Sequence, residues 1–245
     1  MIKKIKILIV QPQGVGDQIM ITPLLQLIKS TYKNSHIRIM VSSEASKAVV
    51  EGFLLADDIV VFNRKKEGLF AHIKVIKDNF YFAPTICYIA PYTNNILGQA
   101  LSWLSGAKIR IGQEKTIPFF GYTHSSPSFK EMHKVDAHIH LFNLGLILKS
   151  ETPKPFFNLT DKEIFLGNNY FLDNKLQNKF VMGVHVGGDA ANKFKRYPIE
   201  RFQSILKEYI NESVNHTAIM FFGPGEDELA NQIGTHPRVI ILRKK

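Results

Sequence analysis

Asp17 is the residue whose setting most suggests chemistry. It closes Gly14-Val15-Gly16-Asp17, which follows a short β-branched run and precedes a helical pattern. Glycines at such a junction let backbone approach a ligand and turn tightly. The carboxylate has two readings on spacing alone. It can cap the helix by accepting free backbone N–H groups. Alternatively, kept ionised by the positive end of the helix, it can accept a proton at neutral pH.

His185-Val186-Gly187-Gly188 leads into Lys193-Phe194-Lys195-Arg196-Tyr197-Pro198. A strand end, a glycine pair and clustered cations before a helix suit an anion such as phosphate. A solvated basic loop has the same composition. Phe222-Gly223-Pro224-Gly225 is a third strand–glycine–helix junction, but Glu226, Asp227 and Glu228 suit the helix terminus better than a phosphate and mark it as mainly structural. Arg64-Lys65-Lys66 is a local cation run. His133, Asp136 and His140 fall on one helical face, where helix-surface residues outweigh a metal site.

The elements that must position these residues alternate. Strands are expected at 5–10, 36–41, 59–62, 86–89 and 108–111. Helices are expected at 17–32, 43–52, 67–79, 94–105 and 132–148, with Pro23 kinking the first. Residues 112–130 read as a surface loop and 149–155 as a linker. Strands at 180–186, 217–222 and 238–242 then alternate with helices at 198–212 and 226–234. This rhythm predicts two doubly wound α/β domains, 1–152 and 153–245, the second with fewer strands than such domains usually have.

Composition sets outer limits. The 245 residues are 45% hydrophobic and 21% charged, as in a globular protein. No apolar run reaches the length of a membrane span, and the N-terminal run is too short for a signal peptide. Cys87 is the single cysteine, which excludes an intrachain disulfide. A cytoplasmic protein is the simplest expectation. The net charge of +10 is uneven: residues 1–150 hold 18 Lys and Arg against 10 Asp and Glu. Such an excess suits an anionic partner or membrane surface, or serves solubility alone. Ile19 stands where a dinucleotide fingerprint has its third glycine, and no nucleic-acid module is recognisable.

Taken in order, the motifs resemble those of family 9 glycosyltransferases, which include the lipopolysaccharide heptosyltransferases. The resemblance rests on Lys6–Asp17 with Ile21-Thr-Pro-Leu-Leu25, Leu104–Gly112, His133-Lys-Val-Asp136, His185–Gly188, Lys195–Phe202 and Phe222–Glu228. It implies a GT-B architecture of two Rossmann-like domains, an N-terminal one for the acceptor and a C-terminal one for a nucleotide-sugar. The implied reaction is inverting and needs neither metal nor cofactor, with Asp17 as general base. His185, Gly187, Gly188, Lys193, Lys195 and Gly223 would serve the donor, an ADP-heptose-like molecule. Gly14, Gly16, Arg64, Lys65 and Lys66 would face an anionic lipopolysaccharide-type acceptor, at the inner face of the inner membrane. The family's Asp-Thr-Gly-x-x-His segment has no counterpart, so the second domain is expected to be incomplete. A non-catalytic nucleotide- or glycan-binding remnant is the alternative.

Overall fold

The computed structural model describes residues 4–63, 66–93, 95–114, 121–127, 129, 131–148, 151–187, 196–223 and 225–243. The chain forms two compact units, Met1–Leu159 and Thr160–Lys245.

In the first unit β1 (Ile5–Val10), β2 (Ser35–Val41), β3 (Asp58–Val61), β4 (Ile86–Ile89), β5 (Ile109–Gln113) and β6 (His124–Ser126) form one parallel sheet in the order β3-β2-β1-β4-β5-β6. Successive side chains of β1 point to opposite faces. Ile7 and Ile9 enter one core with Leu24, Leu25, Phe53, Leu141 and Phe142. Leu8 and Val10 enter the other with Met40, Phe82, Cys87 and Ile89. Each such aliphatic side chain, fully buried, contributes about 1.5–3 kcal/mol. The first core is covered by α1 (Val15–Met20), α2 (Thr22–Thr31), α3 (Glu44–Phe53) and α6 (Lys134–Asn143), the second by α4 (Leu69–Phe82) and α5 (Asn95–Leu104).

Three local expectations need correction. Residues 17–32 form no single kinked helix. The chain breaks at Ile21, and Pro23 stands in the first turn of α2, where its missing N–H costs nothing. The stretch 112–130 is not all loop, because His124–Ser126 adds a sixth strand beside β5. Three polar residues carry no apolar alternation that could announce it. The third is α7 (Asp161–Asp173), which opens the second unit and has no sequence-based counterpart. Its Thr160–Glu163 capping box was visible in the sequence, but its apolar residues follow no single stripe and none is buried.

The second unit adds β7 (Phe180–His185), α8 (Ile199–Glu212), β8 (His216–Phe222), α9 (Asp227–Ile233) and β9 (Val239–Arg243). Its described strands pair in parallel in the order β7-β8-β9. Val186, Leu206, Ala218, Met220, Phe222 and Ala230 make its core. The division at 159/160 follows a segment tied to the first unit, where the Phe156 N–H donates to the Thr22 hydroxyl at 3.2 Å. No helix among the described residues is long and apolar enough to cross a membrane.

Candidate active site

The loop after β1 lies beside the switch point of the sheet, where β1 is flanked by β2 and β4 and ligands of open α/β sheets bind. Three glutamines hold it. Gln18, wholly buried, donates through Nε2 to the carbonyls of Gln11 (3.0 Å) and Gln13 (3.1 Å). Gln11 donates to the Asp17 carbonyl at 3.0 Å. Gln13 reaches across to the Pro91 carbonyl (2.8 Å) and the Thr93 hydroxyl (3.1 Å) beyond β4. The amide nitrogens of Gln11 and Gln18 thus bind the loop's own backbone and that of Gln13 ties the loop to the segment after β4, while the three side-chain carbonyl oxygens are buried without a partner among the described residues. Sequence reasoning missed these residues, although Gln11 and Gln13, two apart after an apolar strand, were an available signal; Gln18 carries none.

Asp17 is not the helix cap. Gly14 is, in extended conformation and without a side-chain hydrogen bond, and Asp17 occupies the first turn of α1. Its side chain is 23% exposed and pairs with the Lys134 ammonium at the start of α6. Gly14 and Gly16 serve no left-handed turn, since neither has a positive φ. A side-chain carbon added at either would meet nothing within 4 Å, so both glycines stand open at the surface of the loop.

Behind Asp17 lies a buried pair. Tyr88 Oη and His138 Nδ1 are 2.8 Å apart. Burial pushes the imidazole of His138 down to about 3, against the opposing pull of the Asp17 charge. Burial likewise pushes the Cys87 thiol up to about 11, which makes it inert at neutral pH.

Two cavities flank this edge of the sheet. One of about 410 Å3 is lined by Val10, Val41, Phe62, Asn63, Thr93 and Leu101. Lys66 follows it in the turn after β3, its N–H donating to Asn63 at 2.9 Å, and is exposed. Arg64 and Lys65 lie outside the described residues. The other, of about 610 Å3, is lined by His133, Asp136 and His140, among others. His133 caps α6, and the His140 ring lies 5.9 Å from that of Phe129. Among the described residues no group of three His, Cys, Asp or Glu could hold a metal.

In the second unit His185, Gly187 and Gly223 come together at the carboxyl ends of β7 and β8. His185 Nδ1 lies 3.1 Å from the Phe221 carbonyl. The Gly223 N–H donates to Glu226 Oε2 at 2.7 Å. A side-chain carbon on Gly187 would lie 1.8 Å from Glu226 Oε1, so only glycine admits that carboxylate. Glu226 is buried and lies 3.7 Å from Arg196. Gly188, Lys193 and Lys195 lie outside the described residues. Glu226 belongs to the edge that the glycines form, a position that its place among three acids had concealed.

Solved structures match along the whole chain. A family 9 glycosyl transferase from Veillonella parvula aligns with a TM-score of 0.77 and 18% identity, covering 100% of this chain and 71% of that one. The fold is the family 9 glycosyltransferase fold. ADP-heptose lipopolysaccharide heptosyltransferase II of E. coli aligns at 0.74 and 16%, covering 98% of this chain and 72% of that one. The E. coli heptosyltransferase WaaC, solved with ADP, aligns at 0.66 and 17%, covering 98% and 76%. No family model and no curated protein matches the sequence. At these identities the likeness speaks for the α/β architecture alone, in agreement with the GT-B fold class expected from the motifs.

Proposed function

We propose that the chain is a glycosyltransferase that moves a sugar, a heptose, from a nucleotide-sugar to a lipopolysaccharide inner-core type acceptor. The observation that carries this reading is Asp17: a partly exposed carboxylate at the carboxyl edge of the first sheet, directly after two open glycines and with a cation beside it. Solved structures that share the fold include heptosyltransferases, one with ADP and one with an ADP-heptose analogue bound. That supports a nucleotide-sugar donor.

In this mechanism the acceptor hydroxyl attacks the anomeric carbon from the side opposite the leaving group. A new C–O bond forms as the bond to the diphosphate oxygen breaks, with inversion. The electron pair leaves with the nucleoside diphosphate and the hydroxyl proton passes to Asp17. No metal or cofactor is required. His185, Gly187 and Gly223 line the donor side, with Gly188, Lys193 and Lys195 as further donor contacts. The cations neutralise the departing diphosphate. Gly14, Gly16 and Arg64-Lys65-Lys66 face the acceptor, whose phosphates suit the excess charge of the first 150 residues.

A general base is worth about 10²–10⁴-fold in rate, so Asp17→Asn should lower turnover by that factor with the fold intact. Transfer from ADP-heptose to an acyl-free inner-core acceptor measures it. Full activity of the Asn variant would remove Asp17 from the mechanism. If the wild-type chain binds ADP in calorimetry yet transfers nothing, the non-catalytic binding reading takes its place.

A further inference from the structure

We infer that the outer face of α4, with the end of α5, is the surface through which this chain docks on an anionic lipid bilayer. The inference rests on the proposed amphiphilic acceptor for its purpose, but not for its test. α4 carries Phe70, Ile73, Phe80 and Tyr81 on the outside, Phe70 being 88% and Tyr81 70% exposed. Single exposed apolar residues are ordinary, but a large contiguous set marks a docking surface. The set continues onto α5: the Phe80 ring lies against Gly106, where an added carbon would sit 3.4 Å from it, and Trp103 nearby is 58% exposed. Tyr and Trp are the side chains enriched at the bilayer–water boundary.

Charge identifies the occupant. Lys74 and Lys77 stand exposed on α4 between these apolar residues, and the Lys77 ammonium lies 5.8 Å from the centre of the Tyr81 ring. Lys4, Lys6 and Lys108 share with Phe80 and Tyr81 a hollow of about 740 Å3 at the amino edge of the sheet. The exposed acids nearby are Glu67 and Asp78. Aromatic residues among lysines on one surface helix suit an anionic bilayer, which takes both the rings and the cations, better than an uncharged protein face. α4 also begins just beyond the turn that carries Lys66, so one end of the docking face lies next to a residue proposed to face the acceptor.

Co-sedimentation of the full chain with vesicles tests this. Binding is expected to vesicles with a quarter phosphatidylglycerol in phosphatidylcholine, weakening as salt is raised, and not to phosphatidylcholine alone. Each lysine near such a surface is worth about fivefold, so Lys74→Glu with Lys77→Glu should weaken binding at least about twentyfold. Phe70→Ser with Tyr81→Ser should also abolish it, and both exposed pairs should leave the circular dichroism spectrum and transfer to an acyl-free acceptor unchanged. Equal binding to neutral vesicles, or retained binding in both variants, overturns the inference. So does a dimer in light scattering that the Phe70/Tyr81 variant dissociates, because a second copy would then own the surface. Failure of wild-type transfer, by contrast, bears only on the proposed reaction.

Discussion

The Lys134 ammonium rests on one carboxylate oxygen of Asp17, Oδ1, and the hydrogen bond joins the start of α6 to the first turn of α1. Oδ2 is the other oxygen, the one that in the proposed mechanism takes the acceptor hydroxyl's proton. Lys134 is 52% exposed, so solvent screens the pair and its contribution to stability is at most about 1 kcal/mol. Its consequence lies in orientation. Lys134→Ala should leave thermal stability within about that margin and lower turnover in the wild-type background. In an Asp17→Asn background the same change should have no further effect, since groups that act as a unit are non-additive. A kinetic double-mutant cycle measures this, and additive losses would assign Lys134 to a separate task.

The glycines divide into two kinds. Gly16 is helical, has open space and needs no left-handed conformation, so Gly16→Ala should leave stability unchanged or raise it by about 0.5–1 kcal/mol. A fall in turnover without a fall in stability would show that a substrate uses that space. Gly187→Ala should instead displace the buried Glu226 and cost about 1–3 kcal/mol. Urea unfolding of the two variants side by side checks the contrast.

His138 makes stability depend on pH in a stated direction. In the folded chain burial holds it neutral down to about 3, whereas in the unfolded chain it takes a proton near its ordinary value of 6.5. The unfolded state therefore binds more protons below 6.5. The stability is complete above that pH and is lost as pH falls toward 3, at up to about 1.4 kcal/mol per pH unit. His138→Gln should flatten this slope between pH 6 and about 4 in urea titrations. An unchanged slope would mean that other groups carry it.

Gln18→Leu should orphan two loop carbonyls at once. The expected cost is about 1–3 kcal/mol per group left unsatisfied, with a loss of turnover as Asp17 moves. Gln26→Leu, at a half-buried position of α2 whose 3.4 Å bond to the Lys154 carbonyl is exposed to solvent, is the control and should do neither. Denaturant midpoints and turnover, read together, decide it.

Much of this fold was legible in the chain. The apolar run Ile7–Val10 and the alternation of short strands with amphipathic helices announce a parallel sheet, because a strand buried on both faces must be apolar throughout. Asp17, set directly after Gly14-Val15-Gly16 at a strand–helix junction, is likewise a local feature of the chain. What local pattern could not show was everything made by partners distant in sequence. Lys134 is 117 residues from Asp17, and the Tyr88–His138 pair is 50 residues apart. Pro23 looked like a kink within one helix because nothing local revealed the break at Ile21. β6 exists only because β5 offers a free edge to three polar residues. The alternation of apolar and polar residues is set by which face of each element is buried, and so it is written in the chain. The choice of which side chain meets which carboxylate is made by long-range packing, and only the folded molecule carries it.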